Sequence, residues 1–451
     1  MELKSNTLKT GRLSFLFALL ISSVVHAQSD PFSLQDCIQY ALQNHPNSTI
    51  YRNEKIIQAQ KVKENVGVYL PSVTANANTD YNIKLQTTVV PAGTISPEET
   101  RLQLGNKYSS GASIQLDQKI YDRSAILKVS ASRVEEKISD IRVLQANEEI
   151  IYNTTRYYYE LTSLTEERKL LLENQLQYEK LITILRLQLD QGVSKKSDYN
   201  QVRVNLNNIE ADLAINENKY ELAMNQLKNA MGMDLNLILD VSDSIDYSQQ
   251  PEMPTIGNVE YDSLYAHQID QLNLEKQKIS IQQKNAAFQP TLSAYAKYGA
   301  TVFGTEFSNA YTDWFDYSVI GLKLSVPIFS GFQKSSQLQQ SKLSYSNLKL
   351  SQDINDRNYQ LNHQNAAQQL FSSYTDLGKN KENLELAKEV FESSTIEYQE
   401  GRSTLSNFLN ASYSYKESQT NYINSLLDFL QARIEFEKTK GTLVTYANTL
   451  N

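Results

Sequence analysis

The sequence predicts a mainly helical chain with membrane β-structure: four long helices and four transmembrane strands, built as one unit that occurs twice. Three observations carry this. From residue 408 to 443 a large residue recurs at every seventh position, as Phe408, Tyr415, Tyr422, Phe429, Phe436 and Leu443, and Ala411, Ser418, Ser425, Ala432 and Thr439 stand three places after the first five. A large and a small residue in each heptad form the seam of a long helix packed on others. The same ladder stands 209 residues upstream as Tyr199, Leu206, Leu213, Tyr220 and Leu227, beside Val202, Ile209, Asn216, Ala223 and Ala230. Finally, two pairs of segments alternate apolar and polar residues, the period of a strand with one apolar face.

In chain order, residues 1–27 carry Lys4, Lys9 and Arg12, an apolar run over 13–21, and Val25-His26-Ala27 before Gln28. That order predicts a secretory signal peptide, which is set apart from the fold. No cysteine follows Ala27 directly, so a lipid anchor there is not indicated. Cys37, the one cysteine, can form no internal disulfide and is expected to be a small buried residue on a short helix. Removing residues 1–27 takes the formal charge from −8 to about −10, a balance that argues against nucleic acid or an anionic lipid surface as the main partner. No second apolar run reaches the roughly 20 residues a helix needs to cross a bilayer, so a membrane-embedded form would use strands.

A short amphipathic segment around 34–42 precedes His45-Pro46, and a helical pattern then runs to about Tyr69, where Leu70-Pro71 ends it. Val73, Ala75, Ala77, Tyr81, Ile83 and Leu85 alternate with polar residues up to Gln86, predicting a long strand. Residues 87–107, with Pro91, Gly93 and Pro97, read as a loop, and Ala112, Ile114, Leu116 and Ile120 mark the partner strand. From Arg123 to about Asp190 there is neither proline nor glycine, which predicts a helix of about 100 Å. Gly192 is the expected left-handed stop, and Ser194 or Ser197 the expected cap of the next helix. That helix carries the upstream ladder and stops at Met231-Gly232.

The second half repeats the order. A helix from about Asp262 ends at Gln289-Pro290; strands follow around 292–302 and 320–328; a helix starts after Pro327 to Gly331; Gly401 stops it as Gly192 stops its counterpart. The predicted organisation is a signal peptide at 1–27, a first repeat at 28–232, a linker at 233–257 and a second repeat at 258–451. Gly192 to Gly401 and Gly232 to Gly441 are both 209 residues apart, whereas Pro71 to Pro290 is 219. The difference of ten falls in the first strand pair, whose loop is the longer one.

Two strand pairs cannot close a membrane barrel, and an unpaired edge is not tolerated in lipid. Several copies must pool their strands, and four from each of three chains give twelve. The polar alternates, rich in Ser, Thr, Asn and Lys, suit a wetted interior. The small residues of the helical seams fit helices packed side by side in a hollow wall, with an ordinary coiled coil as the alternative.

The double repeat, Leu70-Pro71 and Gln289-Pro290 before strands, Val326-Pro327-Ile328-Phe329-Ser330-Gly331 at a strand-to-helix corner, and the Gly192 and Gly401 turns resemble the TolC-like outer-membrane efflux family over nearly the whole chain after residue 27. The resemblance implies a homotrimer whose twelve-stranded β-barrel lies among outer-membrane lipid and continues into an α-helical barrel across the periplasm. It implies an exit duct of a tripartite efflux or type I secretion system, fed by an inner-membrane transporter through a periplasmic adaptor. By the same resemblance Gly192, Val193, Ser194, Gly401, Arg402 and Ser403 are adaptor-contact tips, and Asp198, Asn407 and Asn410 occupy the periplasmic constriction. Family members can carry two aspartates where Asn407 and Asn410 stand, so a strong acidic ring is in doubt here. The first corner, Lys119-Ile120-Tyr121-Asp122, lacks the proline and glycine of the second, so the two need not bend alike.

No Gly-x-Ser-x-Gly elbow, phosphate loop or zinc-ligand cluster occurs in the sequence, so no enzyme activity and no cofactor are expected. His45, His267 and His363 stand far apart, without ligand spacing. The rival reading is a non-conducting structural or adhesive coiled-coil protein of the envelope. An adaptor protein is a third, which suits the two amphipathic strand pairs poorly.

Overall fold

A computed structural model describes residues 31–103, 105–242, 251–309 and 311–450; the expected signal peptide lies outside them. Ser33 opens helix α1 (Leu34–Asn44) with a capping box, its hydroxyl accepting from the Asp36 amide while the Asp36 carboxylate accepts from the Ser33 amide. Cys37 is fully buried there. The His45 ring nitrogen Nδ1 accepts from the Asn47 amide at 3.1 Å and Pro46 takes the first position of α2 (Pro46–Gly67), where a missing N–H costs nothing.

The strands are β1 (Ser72–Tyr81), β2 (Thr87–Val90), β3 (Thr100–Gln103) and β4 (Tyr108–Tyr121). Two expectations change here. Strand β1 ends at Tyr81 rather than near Gln86, and the expected loop 87–107 contains the small antiparallel hairpin of β2 and β3. Four-residue strands are too short to stand out by alternation alone. Helices α3 (Arg123–Asp190) and α4 (Lys196–Met231) follow, then a 3-10 turn (Tyr261–Ser263), α5 (Tyr265–Ala286), β5 (Thr291–Gly304), β6 (Trp314–Ser325), α6 (Gln333–Gln399), α7 (Leu405–Lys440) and the short α8 (Leu443–Ala447).

The main sheet is antiparallel in the order β1-β4-β5-β6. Its register puts Val73 opposite Leu116, Leu116 opposite Ala296 and Ala296 opposite Ile320 on one face, and Thr74, Gln115, Lys297 and Val319 in line on the other. The apolar face is uncovered: Ile320 is 88% exposed and Leu322 71%.

The two corners differ, as their sequences suggest. At the first, the β4–β5 register shifts between Lys119 and Tyr121, and Asp122 caps α3 by accepting from the Ala125 amide at 3.1 Å. At the second, Gly331 and Phe332 both take left-handed backbone, φ 58° and 61°; Phe332, with a β-carbon, is held there at a cost of about 1 kcal/mol or more.

Helix α3 is the central stave, packed against α2 and α5 near the sheet and against α4 and α7 farther away, while α6 packs on α5 and α7. One margin of the helical layer is therefore α2 and α4, and the other is α6. The free strand edges follow suit, since α2 leads into β1 and β6 leads into α6. Both margins carry exposed aliphatics at heptad spacing: Leu343 and Leu350, and Ile354 and Leu361, on α6; Ile50 and Ile57 on α2; Ile215 and Leu222 on α4.

Candidate functional site

Far from the sheet, α3 and α4 join at Gly192 and α6 and α7 join at Gly401. The two turns are copies of one hydrogen-bond pattern. The Val193 amide reaches the Gln188 carbonyl at 2.8 Å and the Gly192 amide the Leu189 carbonyl at 3.0 Å; the Arg402 amide reaches the Glu397 carbonyl at 2.8 Å and the Gly401 amide the Tyr398 carbonyl at 3.0 Å. This paired arrangement needs a left-handed residue at the stop, and Gly192 (φ 74°) and Gly401 (φ 70°) supply it. Nothing lies within 4 Å of where either β-carbon would be, so the tips stand free. The opposite helix ends are closed in: a β-carbon on Gly232 would sit 2.7 Å from His45 Cα, and one on Gly441 would sit 2.9 Å from Ser263 Cβ.

Val193 is fully open at 75% exposure, and Arg402, also exposed, pairs with Glu400 of its own turn. Ser194 and Ser197 do not cap α4. The cap position falls to Lys195, which has no side-chain capping bond, because the glycine turn uses the Val193 and Ser194 amides to close α3 on the Gln188 carbonyl. Thr404 does cap α7, accepting from the Asn407 amide at 3.3 Å.

Asn407 and Asn410 are both exposed, three places apart on the first turns of α7. Phe408 between them turns inward, its ring stacked on Tyr398 at 5.4 Å and tilted against Phe391 at 5.8 Å. Asp198 is half-buried and accepts from the Ser197 hydroxyl at 3.3 Å. Burial raises the Tyr398 hydroxyl pKa above its usual value, and the Asp198 charge adds to this. The fold therefore brings Asp198 to the base of the second hairpin, next to the aromatic stack, while Asn407 and Asn410 face solvent.

Between the tips and the middle of the helices, the two hairpins are tied by side chains the sequence reading did not single out. Lys416 Nζ is 2.6 Å from Asp212 Oδ2, the Tyr178 and Ser412 hydroxyls are 3.1 Å apart, and Asn174 Nδ2 donates to Gln419 Oε1 at 3.4 Å. Helix α7 thus has two seams. The aromatic ladder faces α6, and Leu405, Leu409, Ser412, Lys416 and Gln419 face α3 and α4. The spacing of the second seam was present in the sequence, but its polar members read as solvated positions.

On the polar face of the sheet two tyrosines lie flat over glycines. A β-carbon on Gly321 would meet the Tyr295 ring at 2.6 Å, and one on Gly299 would meet the Tyr317 hydroxyl at 2.8 Å. Each glycine gives a ring room to lie along the sheet instead of standing out from it.

His363 ties the segment that precedes α5 to the helices, its Nε2 2.8 Å from the Gly257 carbonyl. His267 is buried against Tyr261 and Tyr359, with Nε2 3.5 Å from Asp356. Among the described residues no group of three or more His, Cys, Asp or Glu is placed to hold a metal, and no helix is long and apolar enough to cross a membrane.

Comparison with known proteins places this geometry. Residues 268–442 match the sequence profile of a family described as outer membrane efflux protein. The alkaline protease secretion protein AprF of Pseudomonas aeruginosa is 22% identical over 231 residues, which are 49% of this chain and 46% of AprF. The proteases secretion protein PrtF of Dickeya chrysanthemi is 22% identical over 246 residues, 52% of this chain and 51% of PrtF. The chain thus spans about half the length of the curated relatives it matches. The fold is that of the Campylobacter jejuni CmeC outer membrane channel, with a TM-score of 0.75 at 16% identity over 91% of this chain and 86% of CmeC. It is also that of the Vibrio cholerae outer membrane protein VceC, with a TM-score of 0.71 at 15% identity over 90% of this chain and 96% of VceC. The profile match covers the second half of the chain, and the two solved structures share its fold over about nine-tenths of its length.

Proposed function

We propose that this chain is one protomer of a trimeric outer-membrane exit duct. Three four-stranded sheets form a twelve-stranded barrel in outer-membrane lipid, and the helices continue it as an α-helical barrel through the periplasm. The observation that carries this reading is the coincidence of open margins. A sheet with an uncovered apolar face has free edges at β1 and β6, and the helix layer beneath has exposed heptad-spaced aliphatics at the corresponding margins on α2, α4 and α6. Joining β6 and α6 of one copy to β1, α2 and α4 of the next satisfies the edge hydrogen bonds and buries the aliphatics in one step. Three copies close the ring with the strand number of a wide barrel.

Within this reading the chain is a duplicated unit, residues 28–232 and 258–451 joined by 233–257. The tips Gly192, Val193, Ser194, Gly401, Arg402 and Ser403 meet a periplasmic adaptor, their openness being the supporting observation. Asp198, Asn407 and Asn410 line the periplasmic constriction. An inner-membrane transporter supplies the cargo; AprF and PrtF carry protease secretion in their names, which makes exported polypeptide one cargo class to test. The duct performs no chemistry and needs no cofactor.

The deciding experiment is native mass measurement of the detergent-purified full chain together with its conductance in planar bilayers. A trimer that conducts is expected. A monomer, or a trimer with no ion current after the tips are loosened by Asp212→Ala, would overturn the reading.

A further inference from the structure

Charge on the polar face of the sheet is concentrated at the helical end. Counting rows across the strands from that end, Lys119 and Lys323 flank Ser293 in the first, Asp117 stands in the second and Lys297 in the third. The next two rows, through Ser113 and Gly111, have no charged residue. Directly beneath, a cavity of about 470 Å³ between α2, α3, α5 and α6 is lined by Lys119, Lys128 and Lys284, with Asp122 as its acid.

Two acids share the belt. Asp117 accepts from Gln115 Nε2 at 2.9 Å, and Asp122 caps α3 and pairs with Lys119 at 3.2 Å. Among the described residues Lys128, Lys284, Lys297 and Lys323 have no carboxylate within ion-pair distance. Lys297 is held instead over the Tyr317 ring, 5.6 Å from its centre. Five lysines, Lys119, Lys128, Lys284, Lys297 and Lys323, against the two carboxylates of Asp117 and Asp122 leave this belt with a net charge of about +3 in a chain of net charge −8. An excess of like charge gathered in one belt raises a positive potential that concentrates anions, and ammonium groups are good partners for phosphate and carboxylate oxygens.

We infer that this belt, at the passage from helices to sheet, binds anionic solutes and biases the duct toward cargo bearing phosphate or carboxylate groups. The inference rests on the duct reading only in that the belt faces a water-filled passage. Its ligand chemistry follows from the lysines alone.

The probe is tripolyphosphate, titrated by calorimetry into the detergent-purified full chain. Binding that weakens as salt rises is expected. Replacing Lys128, Lys284, Lys297 and Lys323 together by Gln should weaken it at least about tenfold, whereas the fourfold Arg variant, which keeps the charge, should bind as the parent does. Absence of binding in the parent, or equal binding by the Gln variant, would overturn the inference. Conductance of the same proteins carrying Asp212→Ala separates the two readings: tripolyphosphate binding with no ion current refutes the duct alone, and ion current without tripolyphosphate binding refutes the belt alone.

Discussion

Lys416 on α7 and Asp212 on α4 meet at 2.6 Å, an ion pair that joins the two hairpins between their tips and their middle. Both side chains are partly exposed, so the pair contributes about 0.2–1 kcal/mol. It acts beside Tyr178–Ser412 and Asn174–Gln419, which hold the same seam. Lys416→Asp should loosen the hairpins, giving faster amide exchange around residues 178–209, and the swap Lys416→Asp with Asp212→Lys should restore protection. Unchanged exchange in the single variant would remove the pair from any role in holding the tips together.

The glycines at the helix ends should not tolerate alanine equally. At Gly192 the cost is the left-handed backbone alone, about 1 kcal/mol. At Gly232 the same backbone cost is joined by a contact of 2.7 Å to His45 Cα, so Gly232→Ala should cost about 2 kcal/mol more than Gly192→Ala. Thermal unfolding of the two variants side by side checks the order.

Gly321→Ala would drive a methyl group into the Tyr295 ring. We expect reduced heat stability of the assembled protein and recovery in the double variant Gly321→Ala with Tyr295→Ala, because the second change removes the ring that clashes. Equal loss in both would mean that the glycine serves the strand and not the tyrosine.

Burial pushes the Glu148 carboxyl up to about 7 from its ordinary 4.5, against a smaller opposing effect of Lys438. The folded chain therefore holds this proton more tightly than the unfolded chain, and the Glu148 contribution to stability falls as pH rises from 4.5 to about 7. Glu148→Gln should flatten the stability profile across that window and raise stability above it by on the order of 2 kcal/mol. Denaturant melts at pH 5 and pH 8 make the comparison.

In the proposed duct Asn407 and Asn410 stand at the periplasmic mouth without a carboxylate. Changing both to Asp should increase block of conductance by trivalent cations. No change would place them outside the constriction.

Much of this fold was legible from spacing. The uninterrupted run from Arg123, the prolines at 71 and 290 and the glycines at 192, 232, 401 and 441 located the long helices and their stops, because breakers act locally and leave few alternatives. The hairpin inside residues 87–107 and the early end of β1 were not legible, since short strands rest on pairing with a partner instead of on their own period. At the candidate site, the tip glycines could be read. The latch through Ser412, Lys416 and Gln419 could not, because a polar residue on a helix reads as solvated until its partner is known.

By itself the sequence determined the long helices, their stops and the order in which helices and the main strands follow, through periodicity and chain breakers that need no tertiary information. Only the tertiary structure decided which faces meet. It showed that α3 is the central stave, that α7 has a second, polar seam, and that the lysines of three strands and two helices gather in one belt. Such relations depend on residues hundreds of positions apart being brought together by packing, and no local pattern encodes them.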